Sequence, residues 1–567
     1  VRRDRPHPRG RGATPDEAQR QRDAYDRHAN AGRFADALAC ALRLVALEPT
    51  VGVNEAAAGR CLLELDRVDE ALVRLRRARE LGTDDPVSLE NLATALLRLG
   101  HDDESIALFR EGLAAFPEHP EFAFKLASAV LNVADADGAA EVARGMIARH
   151  PGHPEVERWA AIVANYRFGA TPAEVSFLYR RFGQATRAIG AAMAKDPRLP
   201  RLERRPVGGR PLRVGFFSAD FRRHPVAQFF LPVLEAFDPT RIEAVLYHSS
   251  PILDATSERC RRAAAKFVEA APLDDFQLLR QARLDRLDAA VDLSGPGFGS
   301  RLPAFAARIA PVQATWLGYP GSTGVPGVDL RFVDDRTDPD GAEAHATERL
   351  VRLPAPFLRW RAEHPATPRV AGGPFTFGGF NAAAKLNRET CRRWAEAVRA
   401  VPGSRLLLKA QGFRHASGRE RVGGWLVEAG LAAERFTLRA DLPDYAAHLA
   451  AYAEVDVALD TFPYHGTTTT VEALSQGVPT VSLVGDRHAA RVGRTLLEAV
   501  GLGDLAVDSP EAFVAAAAGL AADAPRRAAL REELPRRLAD GPLGDARGLA
   551  AAIEAALASA AAEALAG

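Results

Sequence analysis

Val457-Ala-Leu-Asp-Thr-Phe-Pro-Tyr-His-Gly-Thr-Thr-Thr-Thr-Val-Glu-Ala-Leu474 is the stretch whose reading decides the fold. Together with Val455 and Asp456 it opens on an apolar run with one polar interruption, the pattern of a buried parallel strand. Pro463 and Gly466 mark a turn, and Val471 to Leu474 has helix-forming character. A strand, a tight turn and a hydroxyl-rich helix start make an anion site. The first N–H groups of a helix lack partners, and the dipole there favours negative charge. Threonine hydroxyls add donors for phosphate oxygens. Taken alone, Thr467 to Thr470 read equally well as plain helix caps.

On either side of this stretch, strand and helix patterns alternate. In the same half of the chain, strands are expected at Phe375–Phe380, Arg405–Lys409, Phe436–Leu438 and Thr480–Leu483. Further back they are expected at Leu212–Ser218, Ile242–His248 and Leu287–Leu293, with a helix at Phe229–Phe237. Such alternation predicts parallel sheets covered by helices. A Pro- and charge-rich connection near Pro356–Pro374 divides the series, so two doubly wound lobes with a cleft between them follow, ligands sitting at strand carboxyl ends. The expected segments are 209–365 for the first lobe, 366–520 for the second, nucleotide-binding lobe, and 521–567 for C-terminal helices.

The first third reads differently. Ala37, Ala71, Ser105 and Ala139 recur every 34 residues, and Pro49, Thr83, Pro117 and Pro151 lie twelve positions beyond each. Leu75 and Phe109 share a large-residue slot, and Gly59 is the small position of a first helix. This is the tetratricopeptide period: small residues let paired helices approach, and stacked pairs bury a continuous core. The repeats are expected over 16–165, a helical connection over 166–208, and a disordered polar, basic tail over 1–15. The architecture expected is α + α/β: a helical solenoid, then two Rossmann-like lobes.

Composition excludes several classes. Lys+Arg and Asp+Glu are equal at 73 each, which argues against nucleic-acid binding. No apolar run reads as long enough to cross a bilayer, and no secretory signal is legible. The four cysteines are scattered without metal-ligand spacing, so a reduced, cytoplasmic protein is expected.

Several strand-end loops carry candidate chemistry. His224, in Asp220-Phe-Arg-Arg-His-Pro, can exchange a proton near neutral pH, though a lone His-Pro pair more often only hydrogen-bonds its loop. Ser294–Gly299 and Trp316–Gly324, which contains Gly321, are glycine-rich and allow close backbone approach. Lys385 can neutralise a phosphate as a compact charge. His448 precedes the central strand, and the turn Asp486–His488 follows another. These are donors and cations without clustered carboxylates, so an anionic ligand, such as a diphosphate, is expected and no metal. Asp338-Pro-Asp340 reads as a solvated turn.

Together LRVGFFSADFRRHPVAQF, PVQATWLGYPGSTG, FGGFNAAAKLNRET, VPGSRLLLK, DVALDTFPYHGTTTTVEALSQGVPTVSL and GDRHAARVG resemble, in order, the O-linked N-acetylglucosamine transferase and SPINDLY family in its bacterial form. The likeness runs from about residue 20 to 510. It implies an inverting, metal-independent GT-B glycosyltransferase of family 41 that modifies Ser or Thr hydroxyls of proteins, without a cofactor beyond its nucleotide-sugar co-substrate. The implied catalytic residues are His224, matching the family's histidine discussed as base or positioning group, and Lys385, on the donor diphosphate. The implied donor-binding set is Lys385, His448, Thr467, Thr468, Thr469, Glu472 and Gly321. The acceptor protein is expected to bind through the repeats and cleft; self-association stays open. Ala382, Tyr445 and Asp288 depart from the acetylglucosamine branch at donor and acceptor positions, as do Pro296 and Phe298. The tetrathreonine run resembles the SPINDLY branch. UDP-N-acetylglucosamine is therefore the first expected donor and GDP-fucose the second, with an inactive repeat scaffold as a third reading.

Overall fold

The computed structural model describes residues 15–206, 208–370, 372–440 and 442–566. The tail expected over 1–15 lies, but for its last residue, outside them. The chain packs as two units, one ending at Ala129 and one beginning at Val130.

The first unit is a run of antiparallel helices that includes Phe34–Leu47, Gly52–Glu64, Val68–Glu80, Pro86–Arg98 and Asp102–Ala115. Ala37, Ala71 and Ser105 are fully buried near the starts of alternate helices, which is why the repeat demands small side chains there. A Cβ on Gly59 would stand 2.5 Å from Cγ of Leu75, so glycine lets those two helices touch. Ser105 turns its hydroxyl to the Ala93 carbonyl at 2.8 Å.

In the second unit the helices Ala136–Arg149, Pro154–Tyr166 and Pro172–Ala194 lead into two sheets. The first sheet comprises β1 (Leu212–Ser218), β2 (Ile242–His248), β3 (Lys266–Glu269), β4 (Ala289–Asp292), β5 (Val312–Trp316), β6 (Leu330–Val333) and β7 (Arg349–Arg352). The second comprises β8 (Thr376–Gly379), β9 (Arg405–Lys409), β10 (Phe436–Arg439), β11 (Val457–Leu459), β12 (Thr480–Leu483) and β13 (Ala506–Val507). Their orders are β3-β2-β1-β4-β5-β6-β7 and β10-β9-β8-β11-β12-β13, and the paired strands run parallel. Each order reverses once, at β1/β4 and at β8/β11, and a ligand crevice opens at such a switch point.

Four expected strands fall on the residues read from sequence; those at 287–293, 375–380 and 455–459 are trimmed at their ends, and that at 436–438 gains Arg439. The helix expected at 229–237 begins earlier, at Pro225, whose fixed φ suits the first helical position. Strands β3, β5, β6, β7 and β13 have no counterpart in the sequence reading. β3 and β7 are edge strands carrying Lys266, Glu269, Arg349 and Arg352, which break the apolar signal.

Helix Pro510–Ala522 covers the second sheet and Ala524–Asp540 packs on it and on helix Thr468–Ser475, but Ala546–Ala566 returns to the first lobe. There Glu554 accepts from the Asp238 N–H at 2.8 Å and pairs with Arg241 at 3.2 Å. Leu549, Ile553 and Leu557 are fully buried. By length and composition this helix could cross a bilayer, which corrects the expectation that no run is long enough; its apolar stripe is core.

Asp288 also differs from expectation. It stands at the amino end of β4, away from the strand-end loops, where it accepts from Arg205 and Arg210 at 2.7 Å and from the Arg213 N–H at 2.8 Å. It is an ion-pair anchor, with no place on the acceptor side of the cleft.

Candidate active site

The loops after β8 and β11 meet at the switch point of the second lobe. Asp460, at the end of β11, is buried and organises the turn: its carboxylate accepts from the N–H groups of Thr461 and Gly466 at 2.9 and 2.7 Å and from Ser482 Oγ at 2.6 Å. Trp394 donates to its carbonyl at 3.1 Å. The turn releases into the helix Thr468–Ser475.

The threonines are not caps. Thr467 occupies the N-cap position without a side-chain bond to the helix, Thr469 donates to Asn381 Oδ1 at 3.0 Å, and Thr470 bonds back to the Gly466 carbonyl at 2.7 Å. The backbone N–H groups at the helix start therefore stay available to an anion. Gly466 is required here: a Cβ would lie 2.3 Å from Thr469 Oγ1 and 2.8 Å from Asn381 Oδ1.

Lys385, in the short turn after β8, donates to the His465 carbonyl at 2.7 Å and stands 4.4 Å from the Tyr464 ring centroid. Burial lowers its ammonium to about 8, an effect the nearby Asp460 carboxylate partly offsets. An ammonium so desolvated, facing a helix N-terminus, calls for an anionic partner.

Across the cleft, His224 caps the helix Pro225–Leu234. Its Nδ1 accepts from the Val226 N–H at 3.3 Å, and the Asp220 carboxylate lies 3.4 Å from the same nitrogen without a hydrogen bond. A backbone N–H only donates, so the neutral ring carries its proton on Nε2. Burial lowers the imidazole; Asp220 opposes that shift and Arg222 adds to it.

His224, Lys385, Thr467, Thr468 and Thr469 line one cavity of about 290 Å³, with Asn381, Tyr464 and His488. The structure thus brings together five of the eight site residues that the resemblance implied, and adds His488 from the candidate turn Asp486–His488. Asn381, buried beside Thr469, carried no sequence signal of its own. The other three stand elsewhere. Gly321 lines a separate cavity of about 380 Å³ against Tyr179; among the described residues only Pro320 and His488 are shared by the two. His448 and Glu472 face each other at 2.9 Å, both largely buried, so His448 is not on a solvent face. Tyr445 lies beside them, where burial and the Glu472 carboxylate push its phenol well above the usual range. Tyr445 and Gln228 line a further cavity of about 290 Å³ that meets the first at His224.

Asp338 is no solvated turn. It is 4% exposed, 3.3 Å from Arg331 and 2.5 Å from Nδ1 of His488. Its partners lie in β6 and after β12, separations that a sequence pattern does not reveal. Among the described residues no three His, Cys, Asp or Glu side chains form a group able to hold a metal.

A model of glycosyl transferase family 41 matches residues 193–363 and 369–553, and a tetratricopeptide-repeat model matches 86–129. The solved structure of a Thermobaculum terrenum O-GlcNAc transferase mutant is similar with a TM-score of 0.75 at 28% identity, covering 97% of this chain and 99% of that one. An Arabidopsis thaliana protein named probable UDP-N-acetylglucosamine–peptide N-acetylglucosaminyltransferase SPINDLY is 36% identical over 356 residues, 61% of this chain and 39% of that protein. Its Solanum lycopersicum namesake is 37% identical over 348 residues, 60% of this chain and 37% of its own length. The chain therefore spans about two-fifths of the curated relatives it matches.

Proposed function

Because the chain belongs to glycosyl transferase family 41, we propose that it transfers N-acetylglucosamine from UDP-N-acetylglucosamine to Ser or Thr hydroxyls of proteins. The observation that carries this reading is the pairing of the desolvated Lys385 with the uncapped start of helix Thr468–Ser475, both opening on the cavity that His224 closes from the other lobe.

Breaking a sugar–phosphate bond leaves negative charge on the diphosphate. Lys385, the helix N–H groups and the hydroxyls of Thr467 and Thr468 are fixed donors aimed where that charge develops, and in a partly dry cleft they act strongly. The lysine supplies the positive charge without a metal or cofactor. The Nε2 proton of His224 suits a hydrogen bond to the sugar or acceptor oxygen, orienting it for a single inverting displacement. The tetratricopeptide helices offer the acceptor protein its docking surface.

A second donor, GDP-fucose, is favoured by one observation. The buried atoms Gln228 Oε1 and His448 Nδ1 have no partner; His448 bonds Glu472 through its other nitrogen, and Tyr445 neighbours both Gln228 and Glu472. In the neutral ring whose Nε2 donates to Glu472, both orphans are acceptors and call for donors. A guanine edge offers two adjacent donor groups, a uracil edge one.

Titration calorimetry with each nucleotide sugar, on the native protein and on Lys385→Ala, tests the proposal. The expected result is binding of UDP-N-acetylglucosamine weakened at least tenfold by the substitution. Lysine-dependent binding of the GDP sugar alone moves the protein to the second donor. Binding of neither leaves a repeat scaffold and sinks the enzyme reading.

A further inference from the structure

His488 stands in the wall between the catalytic cavity and the cavity beside Tyr179, lining both. Its Nδ1 is 2.5 Å from Asp338 Oδ2, and each side chain is 5% exposed. Burial would raise the Asp338 carboxyl, but Arg331 and His488 outweigh it and hold the group ionised, well below the usual carboxylate range. An ionised carboxylate only accepts, so the bonded proton sits on Nδ1. In the neutral ring the lone pair is then on Nε2, which no protein group among the described residues engages.

The ring is also fixed. Phe357 packs edge-on at 5.0 Å between ring centroids. The turn is tied by Gly485 N to Ala490 O and Ala490 N to Arg487 O, each 2.8 Å. Ala489 O accepts from His465 N at 2.9 Å, and the His465 carbonyl holds Lys385. The loop of the imidazole is thus hydrogen-bonded to the loop that holds the lysine, and both side chains line the same cavity. A carboxylate that orients a histidine tautomer and leaves its far nitrogen open to a reaction cavity is the logic of a nucleophile-activating dyad. His224 presents the opposite tautomer, with its proton on the far nitrogen.

We infer that His488 is the general base for the acceptor hydroxyl, with Asp338 as its positioning residue. The inference rests on the transfer reaction proposed above. His488 Nε2 takes the proton of the Ser or Thr hydroxyl as its oxygen bonds to the anomeric carbon. The bond from that carbon to the diphosphate oxygen breaks, and its electron pair leaves with the nucleoside diphosphate beside Lys385. The imidazolium then gives its proton to water.

The test is transfer to a protein acceptor by His488→Asn and His488→Ala. Asparagine keeps an N–H where Nδ1 stands, so the bond to Asp338 survives while Nε2 is lost; alanine leaves room for added imidazole. The expected result is a kcat lowered about 10²–10⁴-fold in both, nucleotide-sugar Kd within about twofold of native, and partial recovery of His488→Ala by imidazole. Native-like turnover in His488→Asn overturns the assignment, as does a loss that imidazole does not relieve, which would make the residue a clasp between the lobes. If the native protein transfers neither sugar, the proposed function itself falls; if it transfers and His488→Asn matches it, only the base assignment falls.

Discussion

Lys385 is the residue on which the site's chemistry turns, and its depressed proton affinity has two consequences. Free enzyme loses the lysine proton as pH rises through about 8, so kcat/KM should fall above that pH. A bound diphosphate restores the charge, so the alkaline limb of kcat should lie higher; initial rates at low and at saturating donor separate the two. The folded value lies below the ordinary 10.5, so the native state resists the charged form. That penalty is fully present below about pH 8 and is relieved as pH rises from there towards 10.5. Lys385→Met keeps the aliphatic stem and removes the charge. It should lower turnover at least a hundredfold yet raise the melting temperature of free protein at pH 7, by at most about 3 kcal/mol of stability, less wherever cavity water reaches the ammonium. Calorimetric melting without nucleotide checks the sign.

At the scale of elements, the turn from β11 into the helix Thr468–Ser475 is the part most sensitive to a single methyl. Gly466→Ala drives a Cβ against Thr469 Oγ1 and Asn381 Oδ1. Overpacking of this kind costs about 1–3 kcal/mol, here concentrated on the helix start. We expect nucleotide affinity to fall at least tenfold by calorimetry, with the far-UV circular dichroism of the fold retained. This element was legible in sequence because everything it needs is local: an apolar strand, a proline–glycine turn and hydroxyls within 18 residues. The 34-residue register was legible for the same reason, since Ala37, Ala71 and Ser105 meet their neighbours within one repeat. What sequence hid is what distance in the chain creates. Asp338 looks like a turn residue until His488, 150 positions on, packs against it. Asp288 stands at a position that the resemblance assigns to the acceptor side, yet three arginine contacts fix it just before the amino end of β4. Gly321 belongs to a motif beside the cleft, but helix Pro172–Ala194 covers it with Tyr179.

For the molecule as a whole, the division at Ala129/Val130 makes the first unit separable in principle. Truncation ahead of Pro120 leaves the helix Pro120–Asn132 whole. It should preserve nucleotide-sugar binding and slow donor hydrolysis little, while transfer to protein falls at least tenfold. Parallel assays of hydrolysis and protein labelling on the truncated chain check this; equal loss of both would tie the repeats to the stability of the lobes. Within the second unit, the last strand of the first sheet ends at Arg352, but the helix that covers part of that sheet begins at Ala546, about 190 residues later. During synthesis the first lobe must therefore wait, with its seat for Leu549, Ile553 and Leu557 open to water, while the ribosome makes the entire second lobe. At ordinary translation speeds that interval is roughly 10–40 s. The lobe that is encoded first is thus finished last, and the seat of its final helix is apolar surface left open through that interval.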